Sequence, residues 1–205
     1  MNSFDKRAFE WDNDPAKIER AQIISDKMTK HIQLSKDMVG FEYGCGTGLL
    51  SFNLQPYLDN IVLGDSSEGM LEIVKQKMIQ KDIHNMTPIK IDLTKDLPPK
   101  NKFDLIYTLL TLHHILDTTG ILRTFNKMLN EKGYLCIADL DEEDGTFHKE
   151  GFIGHNGYNR VDLEDTLKAN GFSVLDSEVC YHIIKKGRDG KIKSFPMFLI
   201  ITQKR

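Results

Sequence analysis

The residues with the clearest chemical potential lie at 41–48, where the sequence reads FEYGCGTG. Glycines stand at Gly44, Gly46 and Gly48, and apolar residues precede and follow the stretch. This order predicts a strand, a tight turn and then a helix. Glycine tolerates a positive φ and lets a ligand approach the main chain, while the amides at the start of the next helix point outward. The stretch therefore predicts a nucleotide-binding loop.

The glycine spacing differs from that of a dinucleotide-binding fold. Such a fold places its third glycine one residue later, where this chain has Leu49. An acid, Glu42, also stands two residues before the first glycine. A carboxylate there repels a pyrophosphate but attracts an amine or another cationic group. The pattern favours a ligand that carries positive charge over a dinucleotide.

An acid followed by x-G-x-G-x-G resembles the first motif of the class I S-adenosylmethionine-dependent methyltransferases. The resemblance implies S-adenosylmethionine as the cofactor and S-adenosylhomocysteine as its product. It places these loop residues at the cofactor: Glu42, Tyr43, Gly44, Cys45, Gly46 and Gly48. A short glycine-rich turn without a ligand can show the same pattern, so the surrounding sequence has to support the interpretation.

A second apolar run, at 61–65, also ends in an acid, Asp65. It lies about twenty residues past the glycines, where a Rossmann-like fold binds ribose hydroxyls. Asp65 is therefore our candidate ribose ligand, with a plain strand-end cap as the alternative. An amphipathic helix with Met70 on its apolar stripe follows, with Ser66 or Ser67 as its N-cap. We include Ser66 and Met70 in the predicted cofactor site.

A third apolar run, predicted as a strand over 88–93, contains Asp92 and Leu93. The family resemblance implies that the Asp92 carboxylate lies near the exocyclic amine of adenine. It also implies that the main-chain amide of Leu93 lies near a ring nitrogen. The alternative is a solvated acid in a turn.

The fourth predicted strand, 103–108, ends at Thr108, and two adjacent histidines follow it at His113 and His114. The carboxyl ends of strands are where open α/β sheets bind ligands, so Thr108 is assigned to the cofactor site. Adjacent residues point in different directions, so one imidazole can face the pocket while its neighbour packs or caps a helix. We assign both histidines to the substrate pocket.

Two segments outside this core are expected to govern substrate choice. The first, 4–12, contains Trp11, the only tryptophan of the chain. Its ring can close over the cofactor's sulfonium, or it can simply hold the segment against the core. The second segment, 139–158, is rich in acids and histidines and follows the fifth predicted strand.

Three interpretations of residues 139–158 are open. As a substrate lid, the segment brings Asp139, His148 and His155 to the acceptor pocket, and this is the interpretation we adopt. A metal site would use these residues together with Asp141, but their spacing matches no established metal pattern and we predict no metal. A solvated acidic loop is the third interpretation.

Strands and helices alternate along the chain as far as residue 141, which is typical of parallel strands joined by helical crossovers. A helix over 161–170 then precedes two strands, 172–184 and 195–203, with a hairpin-like connection. We predict an α/β fold with a Rossmann-like open twisted sheet, mostly parallel, with an antiparallel C-terminal strand and helices on both faces. The family resemblance implies that the last strand lies beside the fifth.

Chain length and composition limit the possible functions. With 205 residues, 40% of them hydrophobic, one domain is expected over 1–205, and the family resemblance implies that it is a class I methyltransferase domain. Its predicted parts are an N-terminal lid and helix segment at 1–35, a cofactor-binding core at 36–141, a substrate-side loop at 142–160, and a C-terminal helix and hairpin at 161–205.

A net charge of −3 argues against nucleic acid and anionic membrane as partners. Three cysteines without metal-type pairing indicate reduced thiols in a cytoplasmic protein, and no leader or membrane-spanning run is visible. We expect a monomer or a homodimer.

The predicted function is transfer of a methyl group from S-adenosylmethionine to a small-molecule acceptor by direct in-line displacement. An oxygen or carbon acceptor needs a base, for which His114, His148 and His155 are the candidates, whereas a thiol or amine acceptor can react without one. Two alternatives are a non-catalytic module that binds S-adenosylmethionine or S-adenosylhomocysteine, and a nucleotide-dependent oxidoreductase.

Overall fold

The computed structural model describes residues 4–205, and within that range seven strands form one sheet. The strands are β1 (Val39–Tyr43), β2 (Asn60–Asp65), β3 (Met86–Lys90), β4 (Phe103–Leu109), β5 (Leu129–Leu140), β6 (Phe172–Lys186) and β7 (Ile192–Lys204). The α-helices are α1 (Pro15–His31), α2 (Leu49–Leu54), α3 (Glu68–Gln80), α4 (Thr118–Met128) and α5 (Arg160–Ala169). Short 3-10 helices lie at Asp5–Asn13, Gln55–Tyr57 and Leu112–His114.

The strands follow the order β3-β2-β1-β4-β5-β7-β6 across the sheet. Neighbouring strands from β3 through β5 pair in parallel, whereas β7 is antiparallel to both β5 and β6. The predicted open, mostly parallel sheet with an antiparallel C-terminal strand is confirmed, and the last strand does lie beside the fifth. The carboxyl ends of β1, β2, β4 and β5 consequently meet at one edge, where ligands bind in such sheets.

Helices cover both faces of the sheet, as predicted. On one face α1, α2 and α3 contribute Ile24, Leu50 and Val74 to a buried apolar cluster. On the other face α4 and α5 contribute Phe125 and Leu167 to a second cluster. Among the helices of residues 4–205, none combines the length and the apolar character that a membrane span requires.

The third strand is shorter than the sequence predicted. The predicted strand covered 88–93, but β3 ends at Lys90. A turn begins at Asp92, whose carbonyl accepts hydrogen bonds from the amides of Lys95 and Asp96 at 2.9 and 2.7 Å. The prediction of a strand through residue 93 is therefore wrong, because this turn takes up the main-chain groups that a longer strand would have paired.

A buried polar network joins the elements on either side of the glycine loop. The Ser51 hydroxyl of α2 donates to the carboxyl of Glu42 on β1, and it lies 2.6 Å from the hydroxyl of Tyr107 on β4. Burial raises the pKa of Glu42 to about 8, although the hydrogen bonds from Ser51 act in the opposite direction. Glu42 is therefore mostly protonated near neutral pH, and the network fixes β1 and α2 relative to each other.

We expect Glu42 to make the stability of the protein depend on pH. Between the ordinary pKa of 4.5 and the raised value of about 8, the folded state binds more protons than the unfolded state. The free energy of unfolding should therefore fall as the pH rises through this interval. Glu42→Gln keeps the shape of the side chain and removes the titration, so its unfolding free energy should vary less with pH.

Urea unfolding followed by circular dichroism across that pH interval measures the difference. Glu72→Gln serves as the matched control, because the Glu72 side chain is 56% exposed. Equal pH slopes for the wild type and Glu42→Gln would show that Glu42 titrates normally in the folded protein.

Candidate functional site

The glycine loop joins β1 to α2 with all three of its glycines at positive φ. The angles are +71° at Gly44, +53° at Gly46 and +80° at Gly48. A side chain at Gly44 would collide with Thr111, whereas one at Gly46 would meet only the Trp11 indole nitrogen, 3.9 Å away. The main chain at Gly46 is therefore the part of the loop that a ligand can approach.

Other loop residues contribute structure more than side-chain chemistry. Cys45 is buried, and burial raises the pKa of its thiol well above the usual value. Glu42 points to the buried Ser51 network described above, so the carboxyl is held inside the protein. The side chains of both residues are therefore buried beneath the loop.

Asp65 connects the glycine loop to the start of α3. One carboxylate oxygen accepts a hydrogen bond from the Gly46 amide at 2.8 Å, and the other accepts from the Ser67 amide at 2.7 Å. Burial raises the pKa of Asp65, against the effect of these main-chain hydrogen bonds. Ser67, not Ser66, caps the helix, because its hydroxyl accepts from the Met70 amide at 3.3 Å. Ser66 is exposed and Met70 is buried.

The turn after β3 brings two further predicted residues to the same edge. The Leu93 amide donates to the Tyr43 hydroxyl at 3.1 Å, so this amide has a protein partner in the structure. The Asp92 carboxylate accepts from the Thr94 hydroxyl at 2.6 Å and from the Lys95 ammonium at 2.7 Å. Desolvation acts to raise the pKa of Asp92, but these hydrogen bonds hold it below its usual range. A ligand that binds to Asp92 or Leu93 at this turn has to replace these hydrogen bonds with its own.

A cavity of about 480 Å³ opens between this turn and the start of α4. Its size falls within the usual range for small-ligand sites. It is lined by Leu93, Thr94, His114, Ile115, Leu116, Asp117, Gly120, Ile121 and Thr124. Thr108, at the end of β4, is buried, and its hydroxyl has no hydrogen-bond partner among residues 4–205.

The 3-10 helix Asp5–Asn13, here termed the N-terminal cover, closes over the glycine loop. The Asp5 carboxylate accepts from the Ser67 hydroxyl at 2.6 Å and from the Gly69 amide at 3.0 Å. Asp12 accepts from the Thr47 hydroxyl at 2.5 Å and from the Lys77 ammonium at 2.7 Å. Carboxylates at both ends of the cover therefore fasten it to the loop and to α3.

Trp11 lies in this cover, between the glycine loop and α1. Its indole nitrogen faces Gly46, and the ammonium of Lys17 lies 3.7 Å from the ring centroid. The ring thus packs against α1 while one edge borders the open side of the loop.

Three histidines gather beyond β4, and Asp139 at the end of β5 holds one of them. His113 Nδ1 lies 2.5 Å from Asp139 Oδ1, and both side chains are buried. The His113 ring centroid is 4.2 Å from that of His114 and 5.0 Å from that of His148. The pKa of His114 and that of His148 are both lowered to about 4. Desolvation is the largest cause, and the neighbouring His113 is the next. Both imidazoles are therefore neutral at neutral pH.

The other candidates in the 139–158 segment do not join this cluster. His155 Nε2 lies 3.0 Å from the Ile115 carbonyl oxygen and 3.3 Å from the Thr118 hydroxyl. Asp141 forms an ion pair with Arg160 at 2.8 Å. The four residues considered for a metal site, Asp139, Asp141, His148 and His155, do not converge on one point.

Several contacts that shape the site were missed in the sequence analysis. Thr111 abuts Gly44, and Phe152 stacks on His148 with ring centroids 3.6 Å apart. Asp12 reaches Lys77 across the glycine loop. The Thr111 and Asp12 contacts join residues that are distant along the chain, so no spacing indicated them. His148 and Phe152 lie in one irregular loop, for which the sequence predicted no regular geometry.

Comparison with known proteins agrees with this geometry. A family described as a methyltransferase domain matches residues 17–177. An uncharacterized methyltransferase of Schizosaccharomyces pombe is 29% identical over 154 residues, which cover 67% of this chain and 54% of that protein. The 27-O-demethylrifamycin SV methyltransferase of Amycolatopsis mediterranei is 26% identical over 133 residues, covering 63% of this chain and 49% of that protein. The chain spans about half the length of these two relatives.

Solved structures share the fold. An S-adenosylmethionine-dependent methyltransferase from Clostridium acetobutylicum superposes with a TM-score of 0.67 at 20% identity, over 97% of this chain and 98% of that one. A second one, from Aquifex aeolicus, gives a TM-score of 0.68 at 20% identity, over 94% and 99% of the two chains. The predicted family is confirmed: the chain belongs to the methyltransferase domain family and has the class I S-adenosylmethionine-dependent methyltransferase fold.

Proposed function

We propose that this protein transfers a methyl group from S-adenosylmethionine to a small-molecule acceptor by direct displacement. The observation that carries the proposal is the open main chain at Gly46, held at positive φ and hydrogen-bonded to Asp65. This arrangement lies at the carboxyl ends of parallel strands, where open α/β sheets bind their ligands.

The residues at this edge fit the cofactor. A carboxylate offers about four lone-pair positions, and Asp65 uses two of them for the amides of Gly46 and Ser67. The remaining lone pairs suit ribose hydroxyls, which are donors. The cavity beside Leu93 offers apolar walls to an adenine ring, and Asp92, next to Leu93 in the chain, offers an acceptor for the ring's amine.

When bound, S-adenosylmethionine supplies a methyl group that its sulfonium has already activated. The protein then has to align the acceptor and exclude water, and it needs no covalent intermediate of its own. The N-terminal cover encloses the glycine loop from one side. The 142–160 loop encloses the histidine cluster from the other side through His148 and Phe152.

A small-molecule acceptor is supported by the relatives and by the enclosure of the site. One relative is named 27-O-demethylrifamycin SV methyltransferase, and an Arabidopsis thaliana relative, 30% identical over 143 residues, is named phosphoethanolamine N-methyltransferase 1. His113 is buried within the histidine cluster, and its ring is covered by His148 and Phe152, which suits a compact acceptor. The net charge of −3 argues against nucleic acid and anionic membrane as partners. We further propose that the protein is a cytoplasmic monomer or homodimer.

Asp65→Ala should weaken S-adenosylmethionine binding by at least about tenfold, because charge-assisted hydrogen bonds contribute about 1.5 to 3 kcal/mol each. Isothermal titration calorimetry measures the affinity. Asp82→Ala is the matched control, since the Asp82 side chain is 92% exposed. Circular dichroism checks that both variants are folded. Unchanged affinity in folded Asp65→Ala would contradict the proposed cofactor site.

Trp11→Ala separates the two possible roles of this ring. S-adenosylmethionine carries a sulfonium and S-adenosylhomocysteine a neutral thioether, so a ring that faces the sulfonium favours the former. Loss of the ring should then reduce the affinity ratio of the two ligands by about 2- to 30-fold, which corresponds to about 0.5 to 2 kcal/mol.

Trp11→Phe retains an aromatic face and should restore part of this ratio. Equal weakening of both ligands in Trp11→Ala, measured by calorimetry, would show that the ring only holds the N-terminal cover in place.

A further inference from the structure

The hydrogen bonds around Asp139 determine which nitrogen of His113 carries the proton. Asp139 Oδ1 accepts from the Leu140 amide at 2.7 Å and lies 2.5 Å from His113 Nδ1, while Oδ2 accepts from the His113 amide at 3.2 Å. An ionised carboxylate only accepts hydrogen bonds, so Nδ1 must be the donor. The neutral imidazole then has a bare lone pair on Nε2.

This lone pair has no partner. His113 Nε2 is buried and makes no hydrogen bond in the part of the chain that the structure describes, and the same is true of His148 Nε2. A buried polar atom without a partner is costly, and such atoms concentrate at functional sites. Because Nε2 is an acceptor here, the missing partner is a donor, such as a hydroxyl.

The pair lies next to the proposed cofactor site. His113 belongs to the 3-10 helix Leu112–His114, which begins one residue after Thr111. The Thr111 hydroxyl donates to the carbonyl of Gly44 in the glycine loop at 3.3 Å. Asp139 ends β5, the neighbour of β4 in the sheet. His113 and Asp139 therefore share the edge of the sheet at which the glycine loop lies.

We infer that His113 Nε2 accepts the proton of a hydroxyl-bearing methyl acceptor, with Asp139 as the residue that positions its imidazole. The inference rests on the proposed function and names the class of acceptor. The acceptor oxygen bonds to the methyl carbon while its proton moves to Nε2. The electron pair of the broken carbon–sulfur bond stays on sulfur. Asp139 then stabilises the imidazolium that forms.

The surroundings favour a hydroxyl over an ammonium. The titratable groups packed around His113 are His114 on its own turn, Asp139 on β5 and His148 on the 142–160 loop. The positive charge of Arg7 in the N-terminal cover lowers the pKa of His114, and that of Lys185 in β6 lowers the pKa of His148. Both charges therefore disfavour further positive charge at the cluster. A neutral hydroxyl enters such a site without adding charge, whereas an amine is mostly protonated at neutral pH and has to lose that proton first.

Side chains of the 142–160 loop now cover the His113 ring. His148 and Phe152 stack on each other, and the Phe152 centroid lies 6.0 Å from that of His113. A main-chain hydrogen bond anchors the 142–160 loop close to this ring, since the His155 amide donates to the His113 carbonyl at 2.8 Å. An acceptor that reaches Nε2 therefore displaces these two rings while the anchor at His155 can stay in place.

The tautomer of His113 can be tested without knowing the acceptor. Nitrogen-15 NMR of histidine-labelled protein distinguishes protonated from bare ring nitrogens. We expect a proton on His113 Nδ1 and a bare Nε2 in the wild type, and loss of this preference in Asp139→Asn. A proton on Nε2 in the wild type would overturn the inference, whether or not the protein transfers methyl groups.

The acceptor class is tested with S-adenosylmethionine labelled with carbon-13 at its methyl group, incubated with a cell metabolite extract. The chemical shift of the transferred carbon identifies the atom that received it, and we expect an O-methyl product. His113→Gln should slow its formation by about 100-fold or more, as loss of a general base does. Cofactor affinity should stay within about threefold, because the residue acts on the acceptor.

A matched control completes the test. His84→Gln should leave the rate unchanged, since the His84 side chain is 83% exposed. An N-methyl or S-methyl product, or an O-methyl product formed equally fast by folded His113→Gln, would overturn this inference alone. Failure to bind S-adenosylmethionine would instead overturn the proposed function.

Discussion

The hydrogen bonds of the Asp65 carboxylate hold the proposed cofactor site together. By accepting from the amides of Gly46 and Ser67, this one group fixes the glycine loop to the end of β2 and to the start of α3. Ser67 in turn donates to Asp5, so the N-terminal cover is attached through the same point. The carboxylate is desolvated but lies among amide donors, which is the arrangement that makes a buried acid tolerable.

A second buried carboxylate, Asp139, organises the neighbouring part of the same edge. It accepts hydrogen bonds from two main-chain amides and lies beside the imidazole of His113. The two acids thus have different partners, and the roles we propose for them differ: Asp65 binds hydroxyl donors, and Asp139 leaves His113 as an acceptor. The glycine loop lies between them because β1 and β4 lie between β2 and β5 in the sheet.

The sequence predicted those features that depend on local order along the chain. The glycine spacing, the acid at the end of β2 and the alternation of strands and helices all carry their signal within a few dozen residues. The antiparallel position of β7 came from the family resemblance. Pairings between distant residues were not accessible: no spacing along the chain indicated that Ser51 would contact both Glu42 and Tyr107 after folding. His113 and Asp139 were each noticed, yet only the register of β4 and β5 brings them together.

Hydrogen exchange monitored by mass spectrometry, with and without S-adenosylhomocysteine, tests the central claim that one edge of the sheet forms the cofactor site. The account predicts slower exchange in peptides that cover the N-terminal cover, the glycine loop, the start of α3 and the turn at Asp92. Peptides from the β6–β7 hairpin should be unaffected, because that connection lies beyond β5. Unchanged exchange at the glycine loop, or protection confined to the hairpin, would contradict the account.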